Sequence, residues 1–368
     1  MGAYWILLVA AVVIAMQAGL FRRLALSKIT YNRSFKVSSC FEGEALELIE
    51  TIENRKVLPV PWLRVESQFR MGLVFRGQQN LDISEGQYNQ NHKSFFSLMP
   101  WTKIVRRHYV TAAHRGIYRL GTVSMTSGDL LGSNFVVRSV PLQGKVVVYP
   151  EPLDVSEMSL PVQTWMGDMI VRRWIVEDPF LISGIREYRD GDSLKNIHWK
   201  ASARSGSLQV HRRDATADCR IKLYLNIEDH ELMWSKATRP EPVEYGIRLA
   251  AGVASHLLSH GMELGLGSNG SLEEEPNELI DIPISGGREQ LNLIYESLAR
   301  LELNRAISFH DYMEQELYRL EGSHDILVLS TYVNDRLQSM LNRFKEEGHR
   351  VQVTLLEESG LSRKEILS

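Results

Sequence analysis

Glu228, Asp229 and His230 are consecutive, and an acid pair beside an imidazole is compatible with metal binding or metal-assisted hydrolysis. Short clusters of this kind are also common as exposed loop residues. Cys40 and Cys219 are the two cysteines of the chain. They are far apart and lack the paired spacing of a zinc site, so neither a disulfide framework nor a Cys-based metal centre is indicated. Both read as buried small hydrophobes. Cys219 could pair with His198, His211 or His230, but it opens an apolar strand without a thiol-protease signature, and no nucleophile with a base and an orienting group is legible. LGLGSNGS, residues 264–271, has glycines but not the Gly-Lys-Ser/Thr ending of a phosphate loop, and reads as a strand leading into a turn. The expectation is a protein without catalytic residues, cofactor or metal. A metal-dependent enzyme or hydrolase using residues 228–230 is the alternative.

A second group is IREYRDGDSLKNIHWKASARSG, residues 185–206, whose polar and aromatic residues follow neither helical nor strand periodicity. Gly191-Asp192 is a turn or helix-entry signal with Asp192 able to cap, and Ile197, Trp199 and Ala201 supply apolar anchors. Arg186, Glu187, Arg189, Asp192 and Arg204 can form an ion-pair network packed around Tyr188 and Trp199. Alternatively, the ridge is a docking face on which Arg204, Arg212 and Arg213 grip carboxylates through planar guanidinium donors. Acidic residues interleave with these arginines and the net charge is -3, which argues against nucleic acid.

The elements that must position these groups divide the 368 residues into an appendage and two soluble parts. Residues 4–21 carry no charge, and as a helix they reach about 27 Å, close to the hydrocarbon thickness of a bilayer. Arg22, Arg23, Lys28, Arg33 and Lys36 follow, which predicts a retained single-pass anchor in the cell membrane with the bulk of the chain cytoplasmic. Residues 37–150 hold short alternating or β-rich runs punctuated by Gly, Pro and Asn, the pattern of an immunoglobulin-like β-sandwich. Residues 151–217 read as a connecting segment. From 218 to 358 strand-like runs alternate with helical ones, which predicts a mainly parallel, doubly wound sheet.

The motif residues Arg186-Glu187-Tyr188, Gly191-Asp192, Ile197, Trp199-Lys200, Ala203-Arg204 and Leu208 resemble the signature of the bacterial "domain of unknown function 58" family. That signature is read as R-E-Y-x-x-G-D-x-x-R-x-I-D-W-x-x-x-A-R. Lys195 stands where Arg is usual and His198 where Asp is usual. Residues 114–121 and 127–134 are similar to further family stretches, and Leu130 replaces a usual Pro in the second. The resemblance implies a von Willebrand factor A-like C-terminal half and partnership with a MoxR-type AAA+ ATPase in assembling or maturing complexes. It also implies a Mg²⁺ site at the end of the first strand of that half, where Asp-x-Ser-x-Ser is usual. Here Asn226, Glu228 and His230 fall at those positions, and Ser330-Thr331 stands where many such domains place an acid, so the oxygen-ligand pattern is lost.

Overall fold

The computed structural model describes residues 2–75, 81–85, 89–128, 135–175, 177–188, 197–215, 220–273, 275 and 278–356. They form two compact units, 1–151 and 152–368. Gly191, Asp192, Lys195, Arg189, Cys219 and most of 127–134 lie outside the described residues.

The first unit opens with α1 (Gly2–Leu24) and continues through β1 (Ile29–Phe35), β2 (Ser39–Phe41), β3 (Ala45–Asn54), β4 (Val60–Arg70), β5 (Leu73–Phe75) and β6 (Leu81–Glu85). It is completed by β7 (Asn89–Leu98), β8 (Lys103–Ala112), β9 (Gly116–Arg119), β10 (Val123–Gly128), β11 (Phe135–Val140) and β12 (Lys145–Tyr149).

The membrane anchor expected at residues 4–21 is corrected here, and with it the single-pass cell-membrane location. A helix forms, but among the described residues no helix is long and apolar enough to cross a membrane. The uncharged run includes Gln17 and continues without a break into Arg22 and Arg23 of the same helix.

The strands assemble into sheets ordered β1-β3-β8-β5 and β11-β10-β4-β7-β6, with β2-β12-β9 as a third. Period-two burial along β3, β4 and β7 sends alternate side chains inward. Two apolar clusters result, one around Ile29, Ile52, Leu63, Val65 and Met125 and one around Leu46, Leu48, Phe69, Leu73 and Val110. Cys40 belongs to the second, where burial and then the Glu44 carboxylate push its thiol up to about 11, so it is held as the unreactive thiol. Gly72 has φ +119°, and a Cβ there would stand 2.0 Å from the Tyr118 hydroxyl, which itself donates to His114 O. Only glycine fits that corner.

The second unit begins with a short 3-10 turn capped by Asp154, then α2 (Leu160–Ile175), β13 (Glu177–Glu187), α3 (Trp199–Ser205) and β14 (Gln209–Ala215). The main sheet follows: β15 (Arg220–Leu225), α4 (Pro240–Ser259), β16 (Glu263–Leu272), β17 (Leu279–Ser285), α5 (Gly287–Arg300), β18 (Leu301–Arg305), α6 (Phe309–Arg319), β19 (Asp325–Ser330), α7 (Asp335–Glu346) and β20 (Arg350–Leu355). Its order is β17-β16-β15-β19-β20, with β16, β15, β19 and β20 parallel, β17 antiparallel and β18 pairing with β16. The chain leaves β15 toward β16 on one side and later returns to β19 on the other. The order therefore reverses between β15 and β19, the place where open α/β sheets present ligands at their C-terminal edge.

Candidate functional site

That reversal point gathers the degenerate metal positions. Asn226 follows β15 directly, its N–H donates to Leu329 O, and its Nδ2 donates to Ser330 Oγ at 3.0 Å at the end of β19. Its Oδ1 accepts from the Glu228 N–H at 3.0 Å, which turns the chain under the sheet edge. Thr331 Oγ1 donates to Glu228 O at 2.7 Å, and the Ile227 N–H donates to Asn269 Oδ1 on β16. The loop is thus stitched to both neighbouring strands.

Glu228 is 3% exposed, and its carboxylate is already engaged. Oε1 accepts from the Phe309 N–H at 2.9 Å, the first residue of α6, and from Asn269 Nδ2 at 3.3 Å, with Arg305 Nη1 at 3.5 Å. Oε2 accepts from the Tyr332 hydroxyl at 2.5 Å. Burial, then the bond to Glu228, pushes the Tyr332 hydroxyl upward and keeps it the donor. A carboxylate at a helix N-terminus takes the place an anionic ligand would have.

Asp229 is 1% exposed and spends its oxygens similarly. Oδ2 accepts from the Thr238 hydroxyl at 2.7 Å and from the Thr238 and Arg239 N–H groups, and Oδ1 meets His230 Nδ1 at 2.5 Å. Burial alone would raise its pKa, but the Arg239 N–H, the Thr238 hydroxyl and His230 outweigh it and hold the carboxyl below its ordinary range. The residues do not fit a Mg²⁺ centre. Asn226 and Glu228 face internal donors, and His230 is turned onto Asp229 rather than toward them.

A cleft of about 130 Å³ remains above Glu228, lined by Glu231, Arg305, Ser308, His310, Tyr332 and Arg336. Ser308 and Asn334 cap the helices that face it, accepting from the N–H groups of Asp311 and Leu337. Next to this edge the loop 230–235 exposes Leu232 and Trp234, each 86% accessible. His310, Asp311 and Glu314 bring three ligand-type groups together on α6, but Glu314 pairs with Arg343 and the Asp311 carboxylate meets His310 Nδ1 at 3.3 Å.

At the opposite edge of the sheet lies a polar cleft of about 470 Å³ that sequence reasoning missed. Lys222 of β15 is 4% exposed and meets Asp281 Oδ1 at 2.6 Å, with Glu316 Oε2 at 3.9 Å. The Tyr224 hydroxyl donates to Glu316 Oε2 and Arg319 reaches Glu316 Oε1. A lysine inside the apolar run RIKLYL is the signal that a buried acid must answer it.

The signature residues are spread over the β13-β14 arm. Arg186 is half-buried with Nη1 donating to Glu187 O, Glu187 is exposed, and the Tyr188 N–H donates to Leu208 O. Ile197 is buried and bridges Val210. His198, at the position where the family signature carries Asp, caps α3: its Nδ1 accepts from the Ala201 N–H at 3.0 Å. The imidazole lone pair there does the work of a carboxylate oxygen. Trp199, expected as an apolar anchor, is 69% exposed, and Lys200 and Arg204 are exposed with it; a seven-residue helix buries too little to cover its first residue. Arg212 and Arg213 lie on β14. Trp199→Ala and Arg204→Ala are each expected to change unfolding free energy by no more than about 0.5 kcal/mol, as surface substitutions do. Thermal melting checks this, and a loss of several kcal/mol in either would place that side chain in a buried network.

These two units define the class, a β-sandwich followed by a mainly parallel α/β unit. A family model described as "Protein of unknown function DUF58" matches residues 184–359, which supports the family assignment that the signature residues suggest. No curated protein matches it. Among solved structures, a non-cellulosomal cohesin from the archaeon Archaeoglobus fulgidus is similar at 13% identity and TM-score 0.22, covering 32% of this chain and 91% of that one. The seventh ScaB type I cohesin of Pseudobacteroides cellulosolvens has 8% identity and TM-score 0.21, covering 33% and 94%. The sporulation control protein Spo0M of Bacillus subtilis has 10% identity and TM-score 0.19, covering 44% and 58%. Such values carry no functional argument.

Proposed function

We propose that this chain is an interaction or scaffold protein that works with a MoxR-type AAA+ ATPase in assembling or maturing complexes, and that it engages its partner at the C-terminal edge of the α/β sheet. The observation that carries the reading is the pairing of spent acids with free apolar anchors. Glu228 and Asp229 are consumed by internal donors, while Leu232 and Trp234 stand exposed beside them. Tryptophan is enriched among the residues that dominate binding energy at protein interfaces. The alternative, a metal-dependent enzyme or hydrolase using residues 228–230, would require Glu228 to abandon Phe309, Tyr332 and Asn269 before it could reach a substrate or ion.

The test is affinity purification of the tagged full chain from its native cells, with and without Leu232→Ser and Trp234→Ser together. An AAA+ ATPase is expected to co-purify with the wild type and to be lost, at least tenfold, from the double variant at unchanged melting temperature. Recovery of no ATPase with the wild type overturns the partnership; equal recovery with the variant overturns the docking edge.

A further inference from the structure

Inside the sandwich, each of five strands turns a polar side chain into a shared layer. Arg33 on β1, Glu50 on β3, Ser67 on β4, His92 on β7 and His108 on β8 are all buried. They form a layer between the two apolar clusters: Tyr31, Ile52 and Val65 belong to one cluster, and Leu48, Phe69 and Val110 to the other. Glu50 is answered within the layer, accepting from the Tyr31 hydroxyl at 2.6 Å and meeting His108 Nε2 at 3.2 Å. Arg33 Nη1 donates to Ser67 Oγ at 2.9 Å, and Ser67 is the cross-strand neighbour of His92. Arg33 and His92 also share Phe69, whose ring centroid lies 4.8 Å from the guanidinium carbon and 4.7 Å from the imidazole.

Arg33 Nε and Nη2 and both ring nitrogens of His92 are buried and have no hydrogen-bond partner among the described residues. Leaving four such atoms unanswered contradicts the near-universal pairing of buried polar groups. We propose that the polar layer of the sandwich binds internal water, which bridges Arg33 to His92.

The chemistry of the four atoms selects the ligand. Burial, then the nearby Arg33 and His108, holds His92 down to about 3, so at neutral pH its ring offers one N–H and one lone pair. The two ring nitrogens point apart, so the occupants together must accept from Arg33 and from the N–H and donate to the lone pair. Water does both. A halide only accepts, and it would add a second negative charge to a layer in which Glu50 already balances Arg33. A metal cation would meet the guanidinium and find the carboxylate of Glu50 occupied.

The decisive measurement is a crystal structure of the full chain, at a resolution that defines ordered solvent, from crystals grown with bromide in place of chloride. A solvent peak within hydrogen-bond distance of Arg33 and His92 and without bromide anomalous signal is expected. An anomalous peak there assigns a halide and overturns the proposal, as does the absence of any peak. In solution, the melting temperature at constant ionic strength is expected to be the same in chloride and in gluconate; a halide-specific rise of several degrees that His92→Phe abolishes also overturns it.

Discussion

Glu228→Ala is expected to lower the unfolding free energy of the α/β unit by about 3–5 kcal/mol, the usual cost of removing one partner from a buried charged network. The substitution strands the Tyr332 hydroxyl and the Phe309 N–H, removes one of the two acceptors of Asn269 Nδ2, and leaves Arg305 beside them. Glu228→Gln keeps an acceptor oxygen for the helix terminus and should cost less. Urea denaturation of the three proteins gives the comparison. An alanine variant within about 0.5 kcal/mol of wild type, in the range of a surface substitution, would remove Glu228 from the structural role assigned to it and return it to the chemistry of a site.

The second large effect is acid destabilisation of the sandwich. The His92 pKa falls from its ordinary 6.5 to about 3 in the folded protein, first through burial and then through Arg33 and His108. The folded state therefore binds that proton more weakly than the unfolded chain does. Stability is fully present above 6.5 and is lost as pH falls toward 3, by up to about 3–5 kcal/mol at roughly 1.4 kcal/mol per unit. Glu50 acts in the same direction at lower pH. Burial would raise its pKa, but His108, Arg33 and Tyr31 outweigh burial and hold it low, so its share disappears as pH drops below the ordinary carboxylate range. Denaturation at pH 7, 5.5 and 4 is expected to show a steep loss in wild type that His92→Phe flattens. Parallel pH profiles for the two proteins would show that His92 does not set the acid limit.

The strands of the sandwich and the helices of the α/β unit were legible because each carries its burial in a period of two or 3.6. The helix α2 was missed inside a segment read as a connection, although Val162, Trp165, Met166 and Met169 recur at helical spacing. Periodicity in short pieces misleads more often. Trp199 looked like an anchor because it is large and apolar, yet α3 is too short to enclose it. The role of Glu228 could not be read at all, since Asn269, Phe309 and Tyr332 lie 41, 81 and 104 residues away along the chain. The polar layer left a trace in the alternation: Arg33 is in phase with Ile29 and Tyr31, and Glu50 with Leu48 and Ile52. A charge in phase with buried apolar neighbours demands a partner, but the sequence does not say which strand supplies it.

The layer also bears on how the sandwich reaches one pairing rather than another. Arg33 stands opposite Glu50, and Ser67 opposite His92. A slip of β1 by two residues against β3 would keep every inward side chain inward, so the alternation alone cannot forbid it. It would, however, set Arg33 against Leu48 or Ile52, carry it off Ser67 and draw the Tyr31 hydroxyl off Glu50, in an interior where a charge deprived of a partner is among the costliest groups a fold can hold. The apolar clusters supply the driving force for collapse and are tolerant of sliding. The charged row is not, and it acts as an alignment key that admits a single strand register during folding.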